Sequence, residues 1–575
     1  MDFRNEINRI FDNLCTFLRQ NNIKVVMPTF YPQRGAILEE MAEKGVKCCI
    51  LGGKEGVKLF KNVEQYGLEK DTTGMNETPD EQEMLINRLP KSFQEGKIII
   101  HGYEQYPWQD YIKAKFPNVE VLSQTAQNSY NFFEEKVNLQ SILEQAGLRE
   151  HIIPNRISKV KEITNHEEIY NKLKDENGKI VIQKCGEGNF ESGGGKSTYI
   201  VNSLEDFKNA LKEISDGTVK IAKFINGAES NLSFFCSTKD LNKDGKINKH
   251  NLNAENNKEF FGMNESLQKF LSNSERVDDN SIYTIVGKST LKCVSSDLLT
   301  SSLGNGVGND VGYVFENEIQ QKIQNIGEKL GKVMAECGRS GLAGCDLIID
   351  KQGKIWINEI NDRQQGPTEQ MSKDAENNGI LSLIKLAFIT SHCNFENEKG
   401  FLSLLKEQSA KISQDYLNNS GNFYIKLNST HSTDIGIDFK FANTLTTGYY
   451  RIYKENNQWN FDKTRLNKIP EGKEIINLAN NEIFVKIDGD IKENISIETK
   501  KQLLRIEGKA IKGDSPFLMQ NGNTILNPKW NDILTCIYNI VVKSIDGADN
   551  SKDSYQDFNP LLQKRLLKKY TGREY

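Results

Sequence analysis

Three side chains around residue 350 have the types and spacing to hold a hard cation: Asp346, Glu359 and Asn361. Residues 347–349 and 355–357 are short aliphatic runs, and Asp350-Lys351-Gln352-Gly353 between them carries the turn chemistry of a hairpin. Asp346 enters one strand while Glu359 and Asn361 leave the other, so an antiparallel pair brings them to one end of a sheet. Because side chains alternate along a strand, Glu359 and Asn361 share a face. Two carboxylates and an amide oxygen suit magnesium bridging phosphates, although an ordinary solvated hairpin end reads from the same residues.

A second feature could meet the phosphates themselves. Residues 179–184 form a buried-type strand ending in Lys184, and Gly193-Gly194-Gly195-Lys196-Ser197-Thr198 follows shortly after. Three glycines let backbone amides approach a phosphate chain, and a lysine at each flank neutralises it. A flexible surface loop is the alternative. The segment runs from strand to strand, since 198–201 resumes a β pattern, whereas a Walker loop runs from strand to helix.

Together these residues resemble the ATP-grasp superfamily of the carboxylate–amine ligase type, whose metal hairpin carries an Asp…Glu-x-Asn pattern followed by an arginine. The resemblance implies that Asp346, Glu359 and Asn361 hold two magnesium ions on ATP, with manganese as a substitute, and that Arg363 lies near the transferred phosphate or the substrate carboxylate. It makes Lys184 the α/β-phosphate lysine and Gly193, Gly194, Gly195, Lys196 and Ser197 the flap over the nucleotide, with Lys196 also catalytic. Phe224 and Ile225 match the adenine-contacting stretch and Glu229 the ribose ligand. Lys136 matches the lysine the family carries at the start of its catalytic domain, and reads equally as an exposed helix lysine. Ala222 and Lys223 depart from the acidic residues that often precede the adenine-binding strand, which leaves adenine selectivity open.

The elements that must position these groups follow from hydrophobic periodicity. Helices over 3–20 and 36–44 alternate with strands at 23–27, 47–51, 97–100 and 119–122, which predicts a parallel sheet with helices on its faces. Gly52-Gly53-Lys54-Glu55-Gly56 lacks the spacing of a nucleotide loop and reads as a tight strand-to-helix turn, and Tyr103, Tyr106, Pro107 and Trp108 read as packing at a strand end. Helices are expected at 132–146 and 319–337, and strands at 219–225, 230–236, 283–287 and 290–295. Residues 240–248 imitate the start of a calcium loop, but Asn251 stands where a bidentate Glu is needed, so the segment reads as a polar turn. Beyond residue 395 the pattern gives helices at 401–418 and 529–543, strands at 422–427, 446–453, 482–487 and 501–507, and a basic tail at 564–569.

The expected fold is thus α/β and α+β multidomain. An N-terminal Rossmann-like pre-ATP-grasp domain spans 1–125, and an ATP-grasp domain of two α+β subdomains spans 126–392 with a polar insertion near 237–280. An additional C-terminal α+β domain spans 393–575. A length of 575 residues accommodates three to four domains. A formal charge of -4 and a pI near 6.1 imply no nucleic acid partner. Ten scattered cysteines without paired spacing suit a reducing cytosol, and six dispersed histidines give no zinc site. No signal-peptide core and no apolar run of about eighteen residues appears, so a cytoplasmic protein without a membrane partner is expected.

No Ser-His-Asp or Cys-His arrangement is visible. The resemblance implies an ADP-forming ligase that joins a small-molecule or peptide carboxylate to an amine through an acyl phosphate, with amino acids or peptides as the narrower reading and a homodimer compatible with it. One rival is a biotin-carboxylase-like, carboxyphosphate-forming enzyme, although the chain has no Met-Lys-Met biotin-attachment site. The other is a non-catalytic nucleotide-binding module.

Overall fold

A computed structural model describes residues 3–544 apart from 30–33, 57–58, 70–78, 103–107, 123–132, 186–197, 239–281, 295–305, 337–338, 340, 393–398, 419–420, 429–438, 447, 467–475, 478–481, 489–490, 492, 495, 497–501 and 509–513. Gly193, Gly194, Gly195, Lys196 and Ser197, the aromatic residues Tyr103 to Pro107, the polar insertion and the basic tail therefore lie outside the described residues.

The chain opens with α1 (Phe3–Gln20), whose Ile7, Ile10, Phe11, Leu14 and Leu18 are buried at helical spacing. It leads into β1 (Lys24–Pro28), α2 (Ala36–Glu43), β2 (Cys48–Lys54), β3 (Glu64–Leu68), α3 (Pro79–Ile86), β4 (Gly96–Ile100), α4 (Trp108–Lys115) and β5 (Val119–Val121). These strands form one parallel sheet in the order β3-β2-β1-β4-β5. Every residue of β1 is buried, as a central strand covered on both faces requires. One expectation shifts here and one holds. Gly52-Gly53 does not turn the chain into a helix, because β2 runs on through both glycines and the next element is β3. Trp108 starts α4 and is buried among aliphatic side chains of the sheet.

The helix expected over 132–146 is shorter: α5 spans Leu139–Gln145, and Gly147, at φ +63°, provides the left-handed exit. There follow β6 (Asn155–Lys159), α6 (His166–Leu173), β7 (Ile180–Cys185), β8 (Thr198–Val201), α7 (Leu204–Ile214) and β9 (Thr218–Lys223). The four strands make an antiparallel sheet in the order β6-β9-β7-β8. Ser203 caps α7 by accepting the Asp206 backbone N–H at 3.0 Å. The helices α6 and α7 bury Ile169, Leu173, Phe207 and Leu211 against Ile180, Ile182, Val219 and Ile221, which fixes one face of that sheet as its core.

The second, larger sheet carries the hairpin. It uses β10 (Gly227–Thr238), β11 (Ile282–Val286), β12 (Thr290–Val294) and β13 (Gly306–Asp310), then, after α8 (Asn317–Glu336), β14 (Gly341–Asp350) and β15 (Ile355–Asn361). Three helices intervene: α9 (Thr368–Asn377), α10 (Leu383–His392) and α11 (Lys399–Leu417). The chain then returns with β16 (Phe423–Asn428), β17 (Phe439–Phe441), β18 (Gly448–Glu455), β19 (Gln458–Leu466), β20 (Ile476–Asn477), β21 (Glu482–Asp488) and β22 (Gln502–Gly508), and α12 (Asn531–Val541) packs beneath. The antiparallel order is β15-β14-β10-β12-β13-β16-β22-β21-β18-β19, so strands from the C-terminal third extend the hairpin's own sheet through the β13–β16 pair. Among the described residues no helix is long and apolar enough to cross a membrane.

Candidate active site

The hairpin forms as its turn residues require, with one irregularity that matters. In β14–β15, Leu347 faces Ile357, yet Asp346 faces Glu359, so Asn358 is an extra, bulged residue. Without the bulge Asp346 would face Asn358. The bulge therefore selects Glu359 as the cross-strand partner of Asp346, and alternation keeps Asn361, opposite Gly344, on the same face. Asp346 and Asn361 are buried, at 8% and 7% exposure, while Glu359 is half-buried.

Asp346 is heavily engaged. Its Oδ1 accepts the side-chain amides of Asn231 at 2.6 Å, Gln365 at 2.8 Å and Asn361 at 3.2 Å. Its Oδ2 accepts the ammonium of Lys292 at 2.6 Å, which also lies 3.4 Å from Glu229. Burial works against the charge on Lys292, but Asp346 and Glu229 outweigh it and hold the ammonium above the usual lysine range. Burial raises the Glu229 carboxyl against the pull of Lys292. Asn361 Oδ1 accepts Arg363 Nη2 at 3.2 Å, and Arg363 Nε lies 3.2 Å from Glu134. Burial pushes the Glu134 carboxyl up to about 7, with Arg363 opposing the shift.

These contacts belong to a band of polar side chains crossing one face of the sheet. The register sets Asp346 beside Asn231, Asn231 beside Thr290, Lys292 beside Asn309, Asn309 beside Tyr424 and Tyr424 beside Glu507. Asn309 donates to Asn231 Oδ1 at 2.6 Å and Thr290 Oγ1 at 2.7 Å, and Tyr424 Oη donates to Asn309 Oδ1 at 2.6 Å. Past Tyr424 the band carries both signs of charge: Glu507 is paired with Arg505 at 2.9 Å and with Lys486 at 3.2 Å. Arg505 lies 4.0 Å over the Tyr424 ring, and Lys426 is the direct cross-strand neighbour of Arg505. Burial, with the repulsion of Arg34, Arg505 and Lys292, pulls the Lys426 ammonium down to about 8. Sequence reading missed Asn231, Asn309, Gln365 and Tyr424. The signal for the first was the alternation in β10, where Glu229, Asn231 and Ser233 occupy one face and Ala228, Leu232 and Phe234 are buried.

The donor set fits a hard divalent cation. Among the described residues no three or more His, Cys, Asp or Glu side chains converge on a metal site. An ion would therefore rest on the Asp346–Glu359 pair and the Asn361 amide oxygen, with phosphate and water completing its shell. Lys292 competes for Asp346 Oδ2. Lys292→Met should thus tighten Mn2+ binding to the nucleotide-free protein about tenfold, because one ammonium about 4 Å away opposes the ion by more than about 1.4 kcal/mol at a partly screened site. Paramagnetic titration reads the affinity directly, and an unchanged value would show that Lys292 does not compete.

The other expected nucleotide contacts are distributed unevenly. Lys136 is 9% exposed in the turn before α5, so it is not an exposed helix lysine. Lys184 pairs with Val219, on the face of the small sheet that carries Ile180 and Ile182 and is covered by α6 and α7. The strand expected at 219–225 ends at Lys223. Phe224 and Ile225 are half-buried in the link to β10, and Lys179 lies 5.2 Å over the Phe224 ring. Glu229 lies on β10 beside Lys292.

No protein-family model and no curated protein matches the chain. Among solved structures it is similar to the biotin carboxylase domain of Hydrogenobacter thermophilus 2-oxoglutarate carboxylase, described in complex with MgADP, ADP and bicarbonate. That match covers 96% of this chain and 95% of the domain, at 10% identity and a TM-score of 0.50. A biotin carboxylase from Campylobacter jejuni matches 85% of this chain and 87% of its own at 11% identity and a TM-score of 0.45. The ADP complex of N5-carboxyaminoimidazole ribonucleotide synthetase matches 70% and 81% at 11% identity and a TM-score of 0.41. The chain has the ATP-grasp fold: a parallel α/β sheet, a small antiparallel sheet backed by two helices, and a large antiparallel sheet carrying the acidic hairpin.

Proposed function

We propose that the protein is an ADP-forming ligase that uses ATP and magnesium to activate a carboxylate and join it to an amine. The observation that carries this reading is the hairpin, where Asp346, Glu359 and Asn361 share one face and Arg363 is braced by Asn361 and Glu134. In the first step a substrate carboxylate oxygen attacks the γ-phosphorus and ADP departs. In the second the amine nitrogen attacks the acyl carbon, phosphate departs and the amine proton is released. Magnesium on Asp346, Glu359 and Asn361 would offset charge on the phosphates. Arg363 stabilises negative charge on the transferred phosphoryl group and on the tetrahedral intermediate. Gly193, Gly194, Gly195, Lys196 and Ser197 are assigned to the loop over the phosphates on their sequence alone. Phe224 and Ile225 are assigned to adenine, and Glu229 to ribose once Lys292 releases it.

Beyond β13, where Arg505 is paired with Glu507, Lys426 on the neighbouring strand suits a carboxylate substrate. Amino acids and short peptides are the substrates we favour, with residues 393–575 selecting among them.

The likeness to a biotin carboxylase domain over 96% of the chain favours a second reading, in which bicarbonate replaces the carboxylate and carboxyphosphate forms. One assay separates them. With ATP, magnesium and a panel of amino acids and peptides, ligase action gives ADP release that depends on a particular carboxylate, and hydroxylamine intercepts the acyl phosphate as a hydroxamate. ADP release that depends on bicarbonate without a hydroxamate would establish the second reading, and no turnover under any condition would overturn both.

A further inference from the structure

On the reading that the site binds ATP, we propose that Lys220, not Lys184, is the small-sheet lysine that meets the nucleotide's phosphates, acting with Lys136 across one cleft. The register decides which lysine can face the hairpin. In the small sheet Lys184 pairs with Val219 and shares a face with Ile180 and Ile182, which α6 and α7 cover. Gln183 pairs with Lys220, and these two point to the opposite face with Cys185 and Ala222. That opposite face looks onto the large sheet, because Lys220 Nζ lies 3.4 Å from the carbonyl of Asn358, the bulged residue next to Glu359.

Lys220 and Lys136 line one cavity with Leu139, Asn155, Ile153 and Ile357. Their exposures are 2% and 9%, so two like charges are withdrawn from water on the same small space. Such a pair is costly unless an anion joins it. Burial pulls the Lys220 ammonium down to about 8 and Lys136 adds to the shift, while Cys185 and Glu359 oppose it. Residues 183 and 220 are direct cross-strand neighbours, so a cation on either one reaches the same volume.

A purely structural role, holding the Asn358 carbonyl, reaches the phosphates only through magnesium on the neighbouring Glu359, so the titrations are run without magnesium. The test therefore compares ligands that differ in phosphate. ATP, ADP and adenosine are titrated against full-length wild type, Lys220→Met, Lys220→Arg and Lys184→Met. Lys220→Met should weaken ATP and ADP about ten- to a hundredfold, the range of a hydrogen bond to a charged group, and leave adenosine unchanged. Lys220→Arg should stay within about threefold of wild type, and Lys184→Met should bind as wild type. An acyl-phosphate derivative of ATP, which acylates the lysine beside its phosphates, gives a second reading on the wild-type protein, and the label should map to Lys220 or Lys136. Retained ATP affinity in Lys220→Met, or label on Lys184, overturns the proposal while leaving ATP binding intact. Wild type that binds no ATP overturns the ligase reading and this assignment together.

Discussion

Glu359→Gln lowers ATP turnover by about 10²- to 10³-fold and leaves the unfolding temperature where it was. Glu359 is half-buried, opposite Asp346, and it sits on the bulged strand whose irregularity exists to put it there. Removing its charge takes a ligand from the cation without stranding a protein donor. Asp346→Asn differs in kind. Four donors converge on that carboxylate, three amides and the Lys292 ammonium, and an asparagine amide would set N–H against N–H in a buried space. Asp346→Asn should therefore lose both turnover and stability, so only Glu359→Gln isolates the chemistry. ADP release by a coupled assay, read beside thermal unfolding, checks both variants. Turnover of Glu359→Gln within about threefold of wild type would remove the cation from this hairpin.

Much of this arrangement was legible in the sequence because the signals were local. The turn at Asp350 to Gly353, the aliphatic runs beside it and the alternating αβ pattern of the first 100 residues each depend on neighbours close in the chain. The bulge at Asn358 was not legible: alternation alone places Asp346 opposite Asn358 or Glu359 according to a one-residue slip, and only the packed register chooses. The face that Lys184 takes was hidden for the same reason in a different form. A lysine at a strand end looks available in one dimension, and which face it takes depends on the α6 and α7 core that covers Ile180 and Ile182. The hairpin β18–β19 escaped notice because its turn is Asn456-Asn457, at φ +49° and +63°, and lacks the glycine that usually marks such turns. Asn309 and Tyr424 could not be seen as site residues, since they meet Asn231 and Asp346 only through pairings between strands far apart in sequence.

The largest expected effect on stability comes from a pair that touches no ligand. Arg339 Nε donates to Asp362 Oδ1, and Arg339 Nη2 donates to the Leu342 carbonyl at 2.9 Å and the Asp362 carbonyl at 3.4 Å. The side chains are 5% and 0% exposed, so this is a fully buried ion pair clamping the residue between Asn361 and Arg363. Breaking such a pair from one side leaves a charge with neither water nor partner, at a cost of about 3–5 kcal/mol. Arg339→Met should lose stability of that order in urea unfolding followed by tryptophan fluorescence. Arg339→Met with Asp362→Leu should recover most of it, because the isolated carboxylate is gone and the space is filled by apolar groups. Catalysis should not recover with it: the guanidinium also ties the Leu342 and Asp362 carbonyls together, and without that tie the backbone that aims Asn361 and Arg363 is free to shift. A single Arg339→Met variant losing less than about 1 kcal/mol would mean that this pair does not hold the loop. A double variant that regains full turnover would mean that packing alone, without the tie, sets the aim of Arg363.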